Sequence, residues 1–493
     1  IDTASTEIYT SLFVGCVRCV YETDQLFMVG LGIDFGTSNS AVAWCDGKEV
    51  VLLELDGSDQ IMPTALHLNR DLITTVGQPA VEKYIEENRD RIVELTPEII
   101  AKSSMVTSAA ESSNPVSQAE ISSRDVYGQP WVDRGMPGRL FRGVKRLLGN
   151  ASIRRLLVFD YPFRIVALVT PILVQIREKI EARLGASGSL NVHLGRPVLF
   201  EGHGSLSNDL ALSRLSEASK YAGIQELSFY PEPVAATLSY LHDKKGLGHG
   251  RVLTLDFGGG SLDLSVVTFN DLTFDVLSTA GLPIGGDHID QLIFEHLLFP
   301  LLGKGEVWRR MVDGRLVENE FPFEEFSDAL LNWTITYTLN QNQFRSKVAA
   351  CIKQGGDAAV KFERLDDLIT HNYSYLVFQA IREAKAKLSI VDETVLDIPV
   401  LDISVKFTRN HLDEIMKEML IDMESVIDEV ICNANCKPSA IDIVIRTGGS
   451  SQIVAVRRLL ESRFPNRVIE HDPFSSVAAG LAIASYYGYQ LKL

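Results

Sequence analysis

Residues 30–39 read GLGIDFGTSN: a short apolar run ends on an aspartate, turns on glycine and hydroxyl residues, and leads into a second apolar run at 41–44. Near the middle of the chain, residues 255–261 read LDFGGGS, with apolar runs at 252–255 and 264–268 on either side. Two apolar runs joined by a glycine-rich turn are typical of a β-hairpin. The repeated phrase therefore predicts two related halves, each with a glycine-turned hairpin.

The residues at the two turns have the chemistry of a nucleotide site. Glycine turns let backbone N–H groups approach phosphate oxygens, and an aspartate at a strand end can hold Mg²⁺ directly or through its water shell. A single turn of this kind is equally well explained as a tight turn capped by aspartate and serine. Two turns facing each other across a cleft can hold a triphosphate from both sides, so the repeat predicts a bound nucleotide, with Asp34 and Asp256 near the metal.

Other nucleotide-binding motifs fit the sequence less well. The DFG triplet also occurs in protein kinases, but the HRD loop and the VAIK strand of those enzymes are absent from the sequence. There is no GxxxxGK[ST] phosphate loop. Gly30 and Gly32 lack the correctly spaced third glycine of a dinucleotide fingerprint.

The composition is that of a soluble globular protein, with 46% hydrophobic and 23% charged residues over 493 positions. This length predicts two to four domains. The formal net charge is -17 and no long run of lysine and arginine occurs, so we expect no nucleic-acid partner. The most apolar stretch, residues 165–176, has about half the length that a bilayer crossing needs. It predicts a buried helix, and we expect no membrane partner.

Cysteine usage indicates a reducing compartment. Six cysteines in so long a chain do not form a disulfide framework, so we expect a cytoplasmic protein. Cys16 and Cys19 form a lone CxxC, and Cys432 and Cys436 lie four residues apart. A zinc site would require these distant pairs to meet without supporting histidines, and we do not predict one.

The chain divides into two predicted lobes, at residues 28–245 and 250–493, joined by the glycine- and lysine-containing tract 241–250. A subdomain is expected within the second lobe at about residues 285–408. Residues 101–125 are rich in serine and show no periodicity, which predicts a surface insertion.

Helical periodicity and a third glycine turn complete the organisation. Apolar residues recur at helical spacing over 171–184, 209–222, 378–388 and 409–432. A predicted strand at 441–445 is followed by TGGSS at 447–451 and by a predicted helix at 452–464. This order places backbone N–H groups at a helix start, where they can bind an anion.

Together these motifs resemble the ATPase domain of the DnaK-type chaperones, the heat-shock protein 70 family of the actin and sugar-kinase superfamily. Residues 32–40 and 256–263 are similar to that family's two phosphate hairpins. Residues 141–149, FRGVKRLLG, are similar to the segment with its catalytic lysine, and residues 231–236, PEPVAA, to a connecting motif whose glutamate helps order water and metal. The resemblance spans both lobes. It implies an α/β, two-lobed actin-like ATPase fold, each lobe a mixed sheet flanked by helices, with ATP or ADP and Mg²⁺ in the cleft between them.

The resemblance also implies roles for individual residues. Catalysis would depend on Lys145, Glu232 and Asp263, and the metal would be held by Asp34 and Asp256. The nucleotide would be bound by residues of the two hairpins and of three further segments: Gly36, Thr37, Ser38, Asn39, Gly258, Gly259, Gly260, Ser261, Gly285, Gly286, Asp287, Lys385, Ser389, Gly448, Gly449 and Ser450.

The end of the site that would hold adenine departs from the family pattern. Ala386 and Gln452 align with arginines of the family, Arg382 with a ribose-binding glutamate, and Phe474 with an aspartate. Ser261 replaces a threonine and keeps its hydroxyl. We therefore expect altered base affinity or selectivity beside an intact phosphate and metal end.

Three short segments, at 195–197, 230–236 and 300–303, are similar to the short YegD-like branch of the family. Only a short tail follows Leu481, so we expect no C-terminal peptide-binding domain. Residues 1–27 are expected to be an N-terminal extension of uncertain status.

The function expected from these residues is that of a chaperone-like ATPase. Slow ATP hydrolysis would drive closure of the lobes and act through partner proteins. Two alternatives stay open: a scaffold that binds ATP without turnover, which the altered adenine end favours, and a kinase for a small metabolite, which the chaperone-type lysine segment disfavours.

Overall fold

The structure is a computed structural model. It describes residues 29–91, 95–107, 120–133, 135–159, 161–185, 191–201, 207–244, 247–270 and 273–489, with the backbone alone described for 95–107 and 120–133. The predicted N-terminal extension, residues 1–27, lies outside the described residues.

The strands of the described residues, numbered in chain order, are β1 (Gly30–Phe35), β2 (Asn39–Cys45), β3 (Val50–Leu52), β4 (Ile61–Pro63), β5 (Ala65–Asn69), β6 (Thr74–Val76), β7 (Leu95–Thr107), β8 (Glu120–Asp133), β9 (Gly138–Arg142), β10 (Leu156–Val158), β11 (Tyr161–Phe163), β12 (Asn191–Arg196), β13 (Glu226–Pro231), β14 (His249–Phe257), β15 (Leu262–Asn270), β16 (Thr273–Leu282), β17 (Val307–Val312), β18 (Arg315–Glu320), β19 (Glu393–Ile398), β20 (Ile403–Thr408), β21 (Ile443–Thr447) and β22 (Val468–Glu470).

The α-helices are α1 (Gln78–Asn88), α2 (Val144–Leu147), α3 (Ile165–Leu184), α4 (Ser207–Tyr221), α5 (Glu232–Asp243), α6 (Gly286–Ile293), α7 (Glu324–Leu330), α8 (Asn342–Gln354), α9 (Asp357–Thr370), α10 (Ser374–Leu388), α11 (Arg409–Ile415), α12 (Lys417–Asn433), α13 (Val454–Arg463) and α14 (Ser476–Tyr487). Shorter elements are a π-helix at Phe294–Leu298 and 3₁₀ turns at Phe299–Leu301, Thr336–Leu339, Pro399–Leu401, Pro438–Ala440 and Gly449–Gln452.

Two mixed sheets share one topology. The strand order is β13-β12-β1-β2-β3 in the first sheet, where β4 also pairs with β2, and β22-β21-β14-β15-β16 in the second. Each sheet contains a predicted hairpin, with Asp34 opposite Ala41 in the first and Asp256 opposite Asp263 in the second. Two later strands then add in parallel on the other side of the hairpin. The repeated phrase thus marks a duplicated fold, and the predicted mixed sheet of each lobe is confirmed.

The central strand β1 shows why glycine alternates with apolar residues there. Successive side chains of a strand point to opposite faces. Leu31, Ile33 and Phe35 enter a core formed with α3 and α4. Gly32 faces α14, and a Cβ atom on this glycine would lie 2.3 Å from the backbone nitrogen of Ala482. The absence of a side chain at this position lets α14 lie directly on the strand.

The two halves exchange covering helices. Helix α14, from the end of the second half, packs on β1, β2 and β12 of the first sheet. Helix α5, from the end of the first half, packs on the second sheet, where the hydroxyl oxygens of Thr237 and Thr254 are 2.6 Å apart. The two helices also contact each other, and a Cβ atom on Gly480 would lie 1.7 Å from the carbonyl oxygen of Ala235. The α5–α14 pair is therefore one junction between the lobes, and Tyr84 of α1, whose hydroxyl donates to the carbonyl of Thr334 at 2.8 Å, belongs to another.

The predicted subdomain contains α6 to α10 and two hairpins, β17–β18 and β19–β20. Its interior is rich in phenylalanine, including Phe294, Phe299, Phe321, Phe326 and Phe362. These rings belong to the same core as the inner face of the second sheet. Residues 286–408 therefore pack continuously on the second sheet, and their division as a subdomain stays a prediction.

Two of the predicted helices can now be compared with the structure. Helix α3, Ile165–Leu184, joins the buried helix predicted at 165–176 to the helical periodicity that starts at Pro171, and before the proline the Thr170 hydroxyl donates to the carbonyl of Val166 at 2.8 Å. The single helix predicted over 409–432 is two helices, α11 and α12, which meet at the buried residue Met416.

The serine-rich segment also differs from its prediction as an irregular insertion. Strands β7 and β8 pair in antiparallel register, from Leu95 opposite Asp133 to Thr107 opposite Glu120, with two register shifts. Backbone hydrogen bonds build this ladder. They form without the alternation of apolar and polar residues by which a strand is recognised in a sequence, and this segment lacks that alternation. The central part of the segment, residues 108–119, lies outside the described residues.

None of the helices in the described ranges combines the length and the apolarity that a bilayer crossing requires.

Candidate functional site

The two glycine hairpins meet tip to tip. A Cβ atom on Gly259 would lie 2.4 Å from the Ser38 hydroxyl oxygen, and one on Gly260 would lie 2.4 Å from the Thr37 hydroxyl oxygen. The second hairpin thus needs glycines at both positions, because any side chain would push the first hairpin away. The Ser38 hydroxyl also donates to Oδ2 of Asp287 at 2.9 Å, which ties the first hairpin to α6 of the other half.

The turn amides are available to a ligand. Within the described residues, the backbone N–H groups of Thr37, Ser38, Gly259 and Gly260 donate to no protein acceptor. All four residues line the cleft, and only Gly260 is fully buried. Four backbone donors without a protein partner in one cleft fit an anionic ligand such as a polyphosphate.

A buried ion pair lies under the hairpins. Nζ of Lys145, on α2, is 2.6 Å from Oε1 of Glu232, the first residue of α5, and both side chains are almost fully buried. Glu232 is followed by Pro233 at the start of the helix, where a proline is tolerated because the first-turn N–H groups have no helical partner. Burial alone would lower the pKa of Lys145, but Glu232, Asp34 and Asp263 outweigh it and raise this pKa. Lys145 is therefore a firmly protonated lysine in the interior.

Three aspartates surround this pair. Burial, and then the charge of Glu232, raises the pKa of Asp34 to about 7 and that of Asp263 to about 7. The same two causes raise the pKa of Asp256 well above its usual range. Asp34 and Asp256 lie deep in the protein but keep partial exposure to the cleft. So many carboxylates around one lysine attract a further cation.

Asp263 is held more firmly than the other two aspartates. Its Oδ1 accepts a hydrogen bond from the backbone N–H of Val198 at 2.7 Å, and its Oδ2 accepts one from the Ser261 hydroxyl at 2.6 Å. The guanidinium group of Arg196 interacts electrostatically with Glu232 and Asp263, while burial lowers its pKa. Asp263 therefore links the second hairpin to the end of β12.

The carboxylates of the cleft fit Mg²⁺ better than a metal whose ligands all come from protein side chains. In the described part of the chain, no three His, Cys, Asp or Glu side chains are grouped to hold a metal ion. Mg²⁺ keeps several waters and is usually bound through one or two carboxylates together with substrate phosphates. Asp34 and Asp256, at the ends of the two central strands, can supply those carboxylates.

The second hairpin is anchored by two other segments. The backbone N–H groups of Gly286 and Asp287 donate to the carbonyls of Gly258 and Gly259 at 3.0 and 2.9 Å. The Ser450 hydroxyl donates to the carbonyl of Gly258 at 2.9 Å. These bonds fix the hairpin's carbonyl groups and leave its turn amides facing the cleft.

The opposite end of the cleft combines a buried ion pair with an exposed aromatic ring. Nζ of Lys385 is 2.5 Å from Oδ1 of Asp290 and donates to the carbonyl of Gly286 at 2.9 Å. The Phe474 side chain is 53% exposed. Its ring lies beside Gly449, where a Cβ atom would be 3.1 Å from Cε1 of the ring. An exposed aromatic ring at a cleft wall can stack on a planar ligand group.

A cleft of about 480 Å³ brings nearly all the predicted site residues together. Of the residues predicted from the sequence, only Asp263 and Gly285 do not line it. Asp263 lies beneath the floor, and Gly285 packs against the carbonyl of Gly259. The structure also pairs Lys145 with Glu232, a contact that the sequence analysis did not predict.

Sequence reasoning missed two arginines at this site. Arg142 lines the cleft three residues before Lys145, and Arg196 approaches Glu232 from the end of β12. Each arginine is the last residue of an apolar strand and is followed by a glycine or a proline. A side chain in this position lies at the edge of a sheet. That signal was present in the sequence.

Comparisons with known proteins identify the family of the chain. The family model "Hsp70 protein" matches residues 172–305 and 366–486, more than half of the chain. "Chaperone protein dnaK" of Emiliania huxleyi is 23% identical over 475 residues, covering 94% of this chain and 60% of the relative. "Chaperone protein DnaK" of Thermotoga neapolitana and its counterpart in Thermotoga maritima are each 24% identical over 469 residues, covering 92% of this chain and 58% of the relative.

The chain spans about 60% of the length of the curated relatives it matches. The comparisons do not single out a YegD-like branch, and that assignment stays a prediction. The family model, the relatives and the paired glycine hairpins agree on one assignment: the chain belongs to the Hsp70 family.

Proposed function

We propose that this chain binds ATP with Mg²⁺ in the cleft between its lobes and hydrolyses it slowly, so that lobe closure follows the state of the nucleotide. The observation that carries the proposal is the buried Lys145–Glu232 pair under two glycine hairpins that meet tip to tip. Phosphoryl transfer requires mainly positioning and electrostatic stabilisation, and both are present in this arrangement.

Each group of residues has a separate task. The turn amides of the hairpins bind phosphate oxygens, and Asp34 and Asp256 hold the metal and its waters. When bound, Mg²⁺ neutralises charge on the phosphate oxygens. Lys145 places a positive charge at the cleft floor, and Glu232 accepts a hydrogen bond from it and orients water. Asp263 positions Ser261 rather than contacting the ligand.

Lobe closure follows from where the ligand sites lie. One hairpin belongs to each half, and the halves are joined by the α5–α14 contact and by the packing of α1 against the second half. A ligand held by both hairpins favours the closed arrangement by its differential affinity for the two states. The relatives are named chaperones, and we extend this to the chain as an ATPase that acts through partner proteins in the cytoplasm.

The test is binding and hydrolysis measured separately on the wild-type protein. Calorimetry with Mg-ATP should show one binding site, and single-turnover phosphate release should occur without any added alcohol. A sugar-dependent burst of ADP would instead indicate a metabolite kinase. Absence of any adenine-nucleotide binding would overturn the proposal.

A scaffold that holds ATP without turnover is the second candidate. Lys145 is already paired with Glu232, and both carboxylate oxygens of Asp263 accept hydrogen bonds. If these contacts persist with nucleotide bound, no group is released to order water. Binding in calorimetry without phosphate release over several hours would establish this candidate.

A further inference from the structure

A second cavity, of about 620 Å³, adjoins the cleft beside the first hairpin. The two spaces share lining residues, among them Arg142 and Arg382. The rest of the wall is rich in hydrogen-bonding side chains: Asn150, Glu201, Gln291, Asn332 and Thr334. Pockets for small molecules typically combine a few such polar groups with aromatic surface, which Trp333 supplies here.

Arg142 and Arg382 are placed by an aromatic pair. Cζ of Arg142, at the end of β9, lies 5.5 Å from the centroid of the Trp333 ring. Trp333 packs edge-to-face on Tyr375 with ring centroids 5.1 Å apart, and Cζ of Arg382 lies 5.9 Å from the Tyr375 centroid. The two guanidinium groups therefore lie near adjoining rings, and both arginines line the cleft as well as the second cavity.

The acidic groups of the cavity already have partners. Arg146 lies 3.1 Å from Glu201 and 3.6 Å from Asp287, and Lys385 pairs with Asp290. The cavity and its rim thus hold four cations against three carboxylates.

Arg142 and Arg382 have no such partner. Within the described residues, neither side chain forms an ion pair or donates a hydrogen bond, and Nε of Arg142 is buried without an acceptor. Asp287 and, more weakly, Asp290 attract Arg142 without contacting it, Asp290 also attracts Arg382, and the two arginines repel each other. Two unsatisfied guanidinium groups in one wall favour an anion between them.

We propose that Arg142 and Arg382 bind the phosphate of a small phosphorylated polyol whose hydroxyl groups occupy the second cavity. A phosphate dianion matches two guanidinium groups, each of which can donate in a bidentate manner. The amide and hydroxyl side chains of the wall then bond the polyol. The site does not require the proposed ATPase activity, and it takes a ligand distinct from the nucleotide.

Glycerol 3-phosphate is the probe for this site. It is titrated by calorimetry into the full chain saturated with ADP and Mg²⁺, so that the hairpins are filled. Glycerol and sodium chloride at matched ionic strength are the ligand controls. We expect one equivalent of glycerol 3-phosphate to bind and glycerol not to bind. Sodium acetate tests whether a carboxylate suffices; binding equal to that of glycerol 3-phosphate would overturn the phosphate assignment.

Three variants make the test specific. Arg142→Ala and Arg382→Ala should each weaken binding about tenfold or more, the usual cost of losing a charged hydrogen-bond partner. Arg154→Ala, which removes an exposed arginine outside both cavities, should leave binding unchanged. Thermal melts establish that each variant is folded, and because the arginines lie on different elements, one unfolded variant leaves the other decisive.

Several results would overturn the proposal. The first is that glycerol 3-phosphate does not bind. The second is that Arg142→Ala and Arg382→Ala bind it as tightly as the wild type does. The third is that ADP abolishes binding, since this would place the phosphate on the hairpins. If the protein binds no nucleotide, the titration is run on the free chain. There, dependence on the two arginines still decides the proposal separately from the ATPase.

Discussion

The two ends of the cleft are built in different ways. At the phosphate end, glycine backbones pack against hydroxyl groups, Lys145 and Glu232 are buried together, and the carbonyls of Gly258 and Gly259 accept hydrogen bonds from neighbouring segments. At the other end, Phe474 is half exposed and Ala386 offers no polar group. The contrast indicates that the phosphate end tolerates little change, while the outer end can vary in what it binds without loss of the fold.

Replacement of Lys145 should break the phosphate end most severely. We expect Lys145→Ala to lower single-turnover phosphate release by about 10²-fold or more, the usual cost of losing one preorganised group that stabilises developing charge. Calorimetric affinity for Mg-ATP should fall much less.

The single substitution also leaves Glu232 buried without its partner. The double variant Lys145→Ala, Glu232→Gln should therefore regain thermal stability but not phosphate release. Unchanged release in Lys145→Ala would exclude this lysine from the chemistry.

A methyl group at the hairpin contact should separate the two tips. In Gly260→Ala the new Cβ atom meets the Thr37 side chain at 2.4 Å. Overpacking of this kind costs about 1–3 kcal/mol, and we expect nucleotide affinity to fall roughly tenfold. Gly258→Ala is the matched control in the same turn, since its nearest neighbour would be 3.9 Å away. Equal losses in both variants would show that turn flexibility, not the contact, matters.

The pH dependence should be concentrated at the same end. The carboxyls of Asp34 and Asp263 have a pKa of about 7 in the folded state against an ordinary value of 3.8. Without ligand, the folded state then binds more protons than the unfolded state between these values, so stability should fall as pH rises from about 4 to about 7.

Metal binding should show the opposite trend. Because a cation requires the ionised carboxylates, affinity for Mg-ADP should increase about tenfold between pH 6 and pH 8, with release of protons. Calorimetry in buffers of different ionisation enthalpy measures that release directly. Asp34→Asn should reduce the number of protons released, and a pH-independent affinity would contradict the raised pKa values.

The smallest effect is expected at the outer end. Phe474→Ala should weaken binding of ATP and GTP alike, by roughly fivefold, because stacking on a ring contributes about 1 kcal/mol whatever the base. Tyr161→Ala removes an aromatic residue of similar exposure outside the cleft and should have no effect. A loss confined to ATP would show that this end selects adenine after all.

The sequence was most informative where one short segment determines the local structure. The two hairpins could be predicted because turn glycines, strand aspartates and flanking apolar runs lie within about a dozen residues of each other. The pairing of Lys145 with Glu232 could not, because 87 positions separate them and only the packing of α2 and α5 brings them together.

Helices were predictable where the apolar pattern is local. The continuous apolar run from Ile165 predicted a buried helix, and α3 starts there. The division of 409–432 into α11 and α12 could not be predicted, because the helical periodicity continues through Met416 and only tertiary packing sets the break. Arg142 shows the same limit, because its role depends on Trp333, far along the chain.

The exchange of α5 and α14 between the halves has a consequence for any attempt to divide the protein. A fragment comprising 29–244 would expose the β1 face that α14 covers, and a fragment comprising 247–489 would expose the second-sheet face that α5 covers. The first fragment would contain α5, which the second fragment lacks, and the second would contain α14, which the first lacks. Mixed together, the two should reassemble as a complemented pair, with an association strength that reports how tightly the lobes are coupled.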